Sequence, residues 1–316
     1  MPERWLDGST RPIDEAVEPM RALVARLVGP GFGIERAIGG MSTPVYRLLR
    51  EGECLYLRVS EDRDGSMRAE AAVHDHLRAA GVSVPEVLAV DDAPEIGRGV
   101  MLVREMPGEP LADALVDTDR VPILRAAGRD LARINAVGVE GFGWIRRDEP
   151  VWPLRGEDAT YEGFVTGASA SVALVADRLT SLERRALHAR FEQATADQPT
   201  GRLVHGDFDA THIYQCHGSY AGVIDLGEMR GAESHYDLAY FHVQDTGAAM
   251  LGELVAGYAE VTAVPADFED RIGRSAVVIV ATQLARWIGR DGIESLDRQS
   301  GRWWLARLRA LLDGAT

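Results

Sequence analysis

The segment Leu203–Asp237 reads LVHGDFDATHIYQCHGSYAGVIDLGEMRGAESHYD and limits the fold more than any other part of the chain. Apolar Leu203-Val204 runs into His205-Gly206-Asp207, which presents an acid in a loop. His212–Gln215 and Tyr220–Ile224 then flank a turn at Cys216–Ser219 that contains Gly218, the pattern of a β-hairpin. A turn centred there sets His212 roughly opposite Val223. Asp225, at the end of the returning strand, then falls beside the Asp207–His212 loop. Hairpin geometry therefore predicts that Asp207, His212, Asp225 and Glu228 gather at one end. Seven acids and one base, Arg230, lie between His205 and Asp245. Gathered carboxylates repel one another unless a cation joins them. An open, oxygen-rich cluster suits Mg2+, which takes one or two carboxylates plus phosphate oxygens.

The rest of the chain divides by periodicity. Asp14–Val28 has apolar residues at helical spacing (Val17, Met20, Val24, Leu27) and stops at Gly29-Pro30. Strand patterns follow at Gly33–Ala37, Val45–Leu49 and Leu55–Val59, with a turn at Arg50–Glu53. Ser66–Ala80 is helical and closed by Gly81; Pro85–Val90 and Val100–Arg104 are further strands. Past Pro107-Gly108 helices dominate: Val121–Ala136, Tyr161–Ala176, Leu182–Thr195 and most of the chain after Tyr236. Gly141–Pro153 reads as a loop. The expected division is 1–107 and 108–316.

Composition removes whole classes of chemistry. All 34 basic residues of the 316-residue chain are arginine, so no lysine can bind phosphate, form a Schiff base or act as a base. The 49 acids leave a net charge of −15, which argues against a nucleic-acid footprint. The two cysteines, Cys54 and Cys216, are far apart and do not suggest a disulfide framework. The N-terminus lacks a signal-peptide core, and the apolar run Ala276–Ala281 is too short to span a bilayer. A cytoplasmic protein without membrane or nucleic-acid partners is expected. His217, His235 and His242 fit no zinc spacing.

HGDFDATHI, then GVIDLGE, then YDLAYF resembles the aminoglycoside phosphotransferase family, whose pattern is HGDxxxxN, IDxxx and a YDLA-like segment. The resemblance extends to GGMSTPVYRL (Gly39–Leu48), similar to the family's glycine turn, and to Gly141-Phe142-Gly143, similar to a stretch in hygromycin-type members. It implies an α+β, bilobal protein-kinase-like fold: a β-rich N-terminal nucleotide-binding lobe, and a mainly helical C-terminal lobe for catalysis and acceptor binding. The implied activity moves the γ-phosphate of ATP or GTP to a hydroxyl of an aminoglycoside-like antibiotic, a route to resistance. Mg2+ is the expected ion, with Mn2+ as a substitute.

By position, Asp207 matches the family's catalytic acid, Asp225 its metal ligand and Asp237 a structural acid beneath the catalytic loop. The family's asparagine is His212 here. Imidazole is a poor Mg2+ ligand, so His212 is expected to hold Asp207 or a metal-bound water and to ligate weakly at most. Gly40, Ser42 and Thr43 belong to the turn over the phosphates. Arg58, in LYLRV, stands where the family has its phosphate cation. Its guanidinium stays charged and grips phosphate at two points. Glu70 shares a helical face with Val73 and Leu77, an inward face on which an acid needs a cation. The expected pair is therefore Arg58–Glu70. Arg104 and Met106 fall at the connection between lobes, where adenine is held.

For a cationic acceptor the candidates are Asp209, Glu228, Asp245, Glu157, Asp158 and Glu162. Trp144, Trp152, Tyr161 and Phe164 are the aromatic surfaces nearby, and Glu253 and Glu260 could extend the rim. Two alternatives stand beside this reading: a metabolic kinase of the same fold acting on another small molecule, and a catalytically impaired nucleotide-binding pseudokinase. The oligomeric state stays open.

Overall fold

The computed structural model describes residues 17–37, 43–61, 65–148, 150–196, 199–245 and 250–313, without the side chains of 166–172. They form two compact units. The first comprises residues up to Pro107 with Arg147–Val151 and Ala221–Gly227; the second holds the remainder from Gly108 on.

In the first unit α1 (Val17–Val28) precedes β1 (Gly33–Arg36), β2 (Val45–Arg50), β3 (Glu53–Val59), α2 (Arg68–Ala79), β4 (Val87–Asp91) and β5 (Val100–Arg104). The strands make one antiparallel sheet in the order β1-β2-β3-β5-β4. Glu51 and Gly52 both take positive φ between β2 and β3, the geometry a two-residue hairpin turn requires. Side chains alternate across a strand. Leu55, Leu57 and Val59 of β3 therefore join Met20, Leu23 and Val24 of α1 in one core. Each such fully buried side chain contributes about 2 kcal/mol. On the other face Tyr56, Met101 and Val103 pack with Met67 and Ala71 at the start of α2. Arg58, between Leu57 and Val59, is thus turned away from the α1 core.

The second unit contains β6 (Glu109–Pro110), α3 (Val121–Ile134), β7 (Phe142–Ile145), β8 (Gly156–Asp158), α4 (Tyr161–Ala176), α5 (Ser181–Ala196), β9 (Arg202–Val204), β10 (Ile213–Cys216), β11 (Ser219–Val223), β12 (Arg230–Ala232), α6 (Tyr236–Gln244), α7 (Met250–Ala259), α8 (Phe268–Asp291) and α9 (Gln299–Asp313). β11 continues into the Ala221–Gly227 segment of the first unit. The helix α8 lies at the centre, packed by α4, α5, α6 and α9. Its apolar run Ala276–Ala281 is buried in this bundle. No described helix is long and apolar enough to cross a membrane.

The hairpin turn is His217-Gly218, both at positive φ, with the sheet order β11-β10-β6. One sequence expectation fails here. Gly141–Pro153 is not all loop, because Phe142–Ile145 is a strand inside a sheet of order β8-β7-β12-β9. Two glycines beside a tryptophan look like a turn locally. The strand exists because Arg230-Gly231, far along the chain, pairs with Trp144 and Gly143.

Candidate functional site

In the first unit a cation sits between two carboxylates. Arg58 Nη2 is 3.2 Å from Glu70 Oε1 and 2.8 Å from Asp225 Oδ1. Glu70 occupies the first turn of α2 and is 1% exposed, on the face it shares with Val73 and Leu77. Neither Glu70 oxygen has a hydrogen-bond partner, so charge alone binds it to Arg58. Burial pushes the Arg58 guanidinium down, but Asp225 and Glu70 outweigh it and leave it raised. The side chain is therefore a permanent cation. One helical turn beyond Glu70, buried His74 sets Nδ1 3.0 Å from Pro85 O, and burial holds its pKa low. The imidazole is thus neutral and adds no charge beside Arg58.

Asp225 takes φ +68, a left-handed backbone that a non-glycine residue adopts at a cost of about 1–3 kcal/mol. Its carboxylate is 41% exposed and also accepts the Gly227 N–H at 3.3 Å. Position 227 has no room for a side chain: a Cβ there would lie 2.7 Å from Arg58 Nη2 and 3.1 Å from Asp225 Oδ1. Thr43 Oγ1 borders the same spot at 3.8 Å. Gly40 and Ser42 lie outside the described residues. Arg104 is exposed at the end of β5 and bonds Glu86 at 2.8 Å, while the Met106 side chain packs over Gly222.

In the second unit the loop from His205 to His212 is braced from below. Asp237, fully buried at the start of α6, accepts the N–H groups of His205 and Gly206, each at 2.8 Å. Burial pushes the Asp237 carboxyl up to about 6, against the pull of those two N–H groups and of Arg230. Gly206 takes φ +88, and a Cβ there would meet Glu228 O at 2.0 Å. Asp207 follows directly. His212 Nδ1 lies 2.6 Å from the Asp207 backbone oxygen and 3.5 Å from Asp209 Oδ1. A carbonyl only accepts, so Nδ1 carries the proton. The expected bond from His212 to Asp207 thus reaches the main chain.

The acceptor candidates are dispersed. Asp209 folds back on Thr211, accepting its N–H at 2.7 Å and its hydroxyl at 2.5 Å. Glu228 meets Arg230 at 3.0 Å and Arg286 at 3.8 Å. Both guanidinium groups also lie over the Trp144 ring, at 4.4 and 5.4 Å. Glu157 and Asp158 lie on β8, and Glu162 lies in the first turn of α4. Asp245 closes α6, its N–H bonded to Phe241 O. Glu253 and Glu260 pair with Arg125 and Arg129 of α3, at 2.7 and 2.8 Å. Tyr161 is buried against Phe142, whereas Trp152 is 39% exposed. Sequence reasoning missed Arg230, which bonds Glu228 and the Tyr236 hydroxyl. Its solitude among seven acids was the available signal.

Among the described residues no cluster of three or more histidine, cysteine or acidic side chains is arranged to hold a metal by itself. The Asp225 carboxylate is an oxygen ligand of the kind Mg2+ takes together with phosphate oxygens.

This two-unit α+β arrangement is a known one. The apo form of a thermostable mutant of aminoglycoside phosphotransferase APH(4)-Ia has a TM-score of 0.70 and 17% identity, with 94% of this chain and 99% of that one covered. The complex of a related mutant with AMP-PNP and hygromycin B also has a TM-score of 0.70, at 18% identity, covering 94% and 98%. The GDP and kanamycin complex of APH(2")-IIIa has a TM-score of 0.63 and 16% identity, covering 93% and 96%. At such identities the likeness is one of fold, the kinase-like fold of aminoglycoside phosphotransferases. A family model described as "Phosphotransferase enzyme family" matches residues 33–269. The chain belongs to that family and is a kinase-like phosphotransferase. A search of curated proteins returned no match.

Proposed function

We propose that the protein transfers the γ-phosphoryl group of ATP or GTP to a hydroxyl of a small molecule. The observation that carries this reading is Arg58 held between Glu70 and Asp225. A fixed cation beside an exposed carboxylate is what phosphate oxygens and their Mg2+ require. In this reading residues 1–107 are the nucleotide-binding lobe, with Thr43 at the phosphates and Arg104 and Met106 near the base. Residues 108–316 bind the acceptor and supply Asp207, which takes or orients the hydroxyl proton. Mg2+, when bound by Asp225, neutralises charge on the β- and γ-phosphates. Most of the rate comes from positioning and charge stabilisation.

The acceptor we assign is cationic and aminoglycoside-like. Support comes from the acids at Glu157, Asp158 and Glu162, and from structural neighbours solved with hygromycin B and kanamycin. One observation favours a second reading, a metabolic kinase: Glu228 is already matched by Arg230 and Arg286, and Asp209 is tied into its own loop. The test is a panel of aminoglycosides and hydroxylated metabolites with ATP or GTP and Mg2+, scored for acceptor-dependent nucleoside diphosphate release. Turnover of any acceptor that Asp207→Asn abolishes supports the transferase. Nucleotide binding without turnover across the panel makes the protein a pseudokinase and overturns the reading.

A further inference from the structure

Two arginines crowd one carboxylate and one ring beside the residue that precedes Asp207. A Cβ at Gly206 would meet the Glu228 carbonyl oxygen and lie 2.8 Å from Arg230 Nε, so the Glu228–Arg230 segment abuts that position. Arg230 is fixed. It pairs with Trp144 across β12 and β7 and is 6% exposed. It bonds Glu228 Oε2 at 3.0 Å, Glu228 O at 3.2 Å and the Tyr236 hydroxyl at 3.2 Å. Its guanidinium carbon stands 4.4 Å from the Trp144 ring centre. Arg286 of α8 addresses the same two groups loosely. Its Nη1 is 3.8 Å from Glu228 Oε2, its guanidinium carbon is 5.4 Å from the ring centre, and the side chain is 50% exposed. Among the described residues it makes no hydrogen bond.

A carboxylate beside an aromatic ring suits an ammonium group, which gains from both. Here that place is held by a cation of the chain itself. An exposed ion pair without a hydrogen bond shifts an equilibrium by a factor of about five at most, so Arg286 can swing into water at little cost. Arg230 stays, because it is buried and would lose its partners on leaving. An incoming ammonium then replaces one positive charge by another and leaves the Arg230–Glu228 pair intact. We propose that Arg286 is a specificity-determining residue for the acceptor: it occupies a cation subsite formed by Glu228 and Trp144, and a cationic acceptor displaces it. An uncharged acceptor lacks the charge to do so. The assignment rests on the transferase reading above and deepens it, since Glu228 is then matched only until the acceptor arrives.

The experiment compares wild type, Arg286→Gln, Glu228→Gln and the double variant, using the aminoglycosides and the uncharged sugars that the wild type phosphorylates. Glutamine keeps most of the arginine stem and removes its charge. We expect Arg286→Gln to lower the aminoglycoside KM about threefold to fivefold, the effect of releasing one exposed ion pair. The nucleotide KM and the melting temperature should stay near wild type, and the KM of an uncharged acceptor should not move. Glu228→Gln should raise the aminoglycoside KM. Adding Arg286→Gln to it should bring no gain, because no carboxylate is left to release. Melting temperature identifies a Glu228→Gln that merely misfolds, and the Arg286→Gln comparison stands without it. An aminoglycoside KM that rises or stays unchanged in Arg286→Gln would overturn the displacement and leave the transferase reading standing. So would a wild type that phosphorylates only uncharged acceptors. No turnover of any acceptor by the wild type would instead overturn the transferase reading itself, and this inference with it.

Discussion

Arg58 and Asp225 are separated by 167 positions in the chain, yet Nη2 and Oδ1 lie 2.8 Å apart. The same guanidinium nitrogen is 3.2 Å from Glu70. One carboxylate is buried and the other 41% exposed, so the two contacts differ in energy and in use.

Removing the cation leaves Glu70 charged and buried. Arg58→Ala should therefore cost about 3–5 kcal/mol of stability in urea denaturation. Arg58→Met combined with Glu70→Leu should recover much of that, since no charge is then stranded. If Arg58→Ala alone unfolds at the wild-type urea midpoint, the buried pair does not carry the energy assigned to it.

Asp225→Asn should behave in the opposite way. Arg58 is buried but keeps Glu70 as a counter-ion, and Asp225 itself is 41% exposed, so losing this contact should cost about 1–3 kcal/mol and the fold should persist. Mg2+-dependent tightening of nucleotide binding should fall at least tenfold, because a neutral amide is a weak Mg2+ ligand. Titration calorimetry with ADP, with and without Mg2+, reads this directly. An undiminished Mg2+ effect would remove Asp225 from the metal site.

Asp237 gives the protein a pH signature. Its folded pKa, about 6, lies above the ordinary unfolded value near 3.9. The folded state thus binds more protons between these values. The contribution of this group is fully present below about pH 4 and is lost as pH rises through about 6, a change of roughly 3 kcal/mol. Asp237→Asn keeps an acceptor oxygen but cannot titrate. Relative to that variant, wild-type stability should fall between pH 4 and pH 7, and parallel pH profiles would count against the assignment.

Gly206→Ala should be severe for two independent reasons. The position needs positive φ, and the new methyl meets the Glu228 carbonyl oxygen, which is main chain and cannot swing away. Together strain and overlap should cost about 3 kcal/mol or more. A variant with an unchanged thermal midpoint would show that the loop relaxes freely.

His212 braces the loop through the Asp207 backbone oxygen. An asparagine amide can donate to the same oxygen, so His212→Asn should retain transfer. His212→Ala, which has no donor, should lose most of it. Mn2+ should serve at least as well as Mg2+ in the wild type, because it accepts nitrogen ligands more readily. Full transfer by His212→Ala in both metals would reduce the histidine to a turn residue.

Much of this was legible in the chain. Alternation in LYLRV separated Arg58 from the Leu57 and Val59 face. Helical spacing put Glu70 with Val73 and Leu77, so an inward acid called for a cation. Gly218 marked the hairpin, and the run from His205 to Asp237 carried the family resemblance. These signals are local, set by side chains within a turn or two of one another.

What only the tertiary structure decided is pairing between distant segments. The strand Phe142–Ile145 exists because Arg230–Ala232 crosses beside it, and a four-residue segment has no periodicity of its own to declare that. Glu228 looked like an open acid until Arg286, from the C-terminal part of α8, came to stand near it. Asp237 was recognisable by motif, yet its raised pKa comes from burial under the whole second unit. Residue type and spacing determined which groups are available and which face of their own element they occupy. Which charges are neutralised, and which carboxylates are dry, depends on what the rest of the chain packs against them. Desolvation and ion pairing act through space, over a few ångströms, whatever the separation along the sequence.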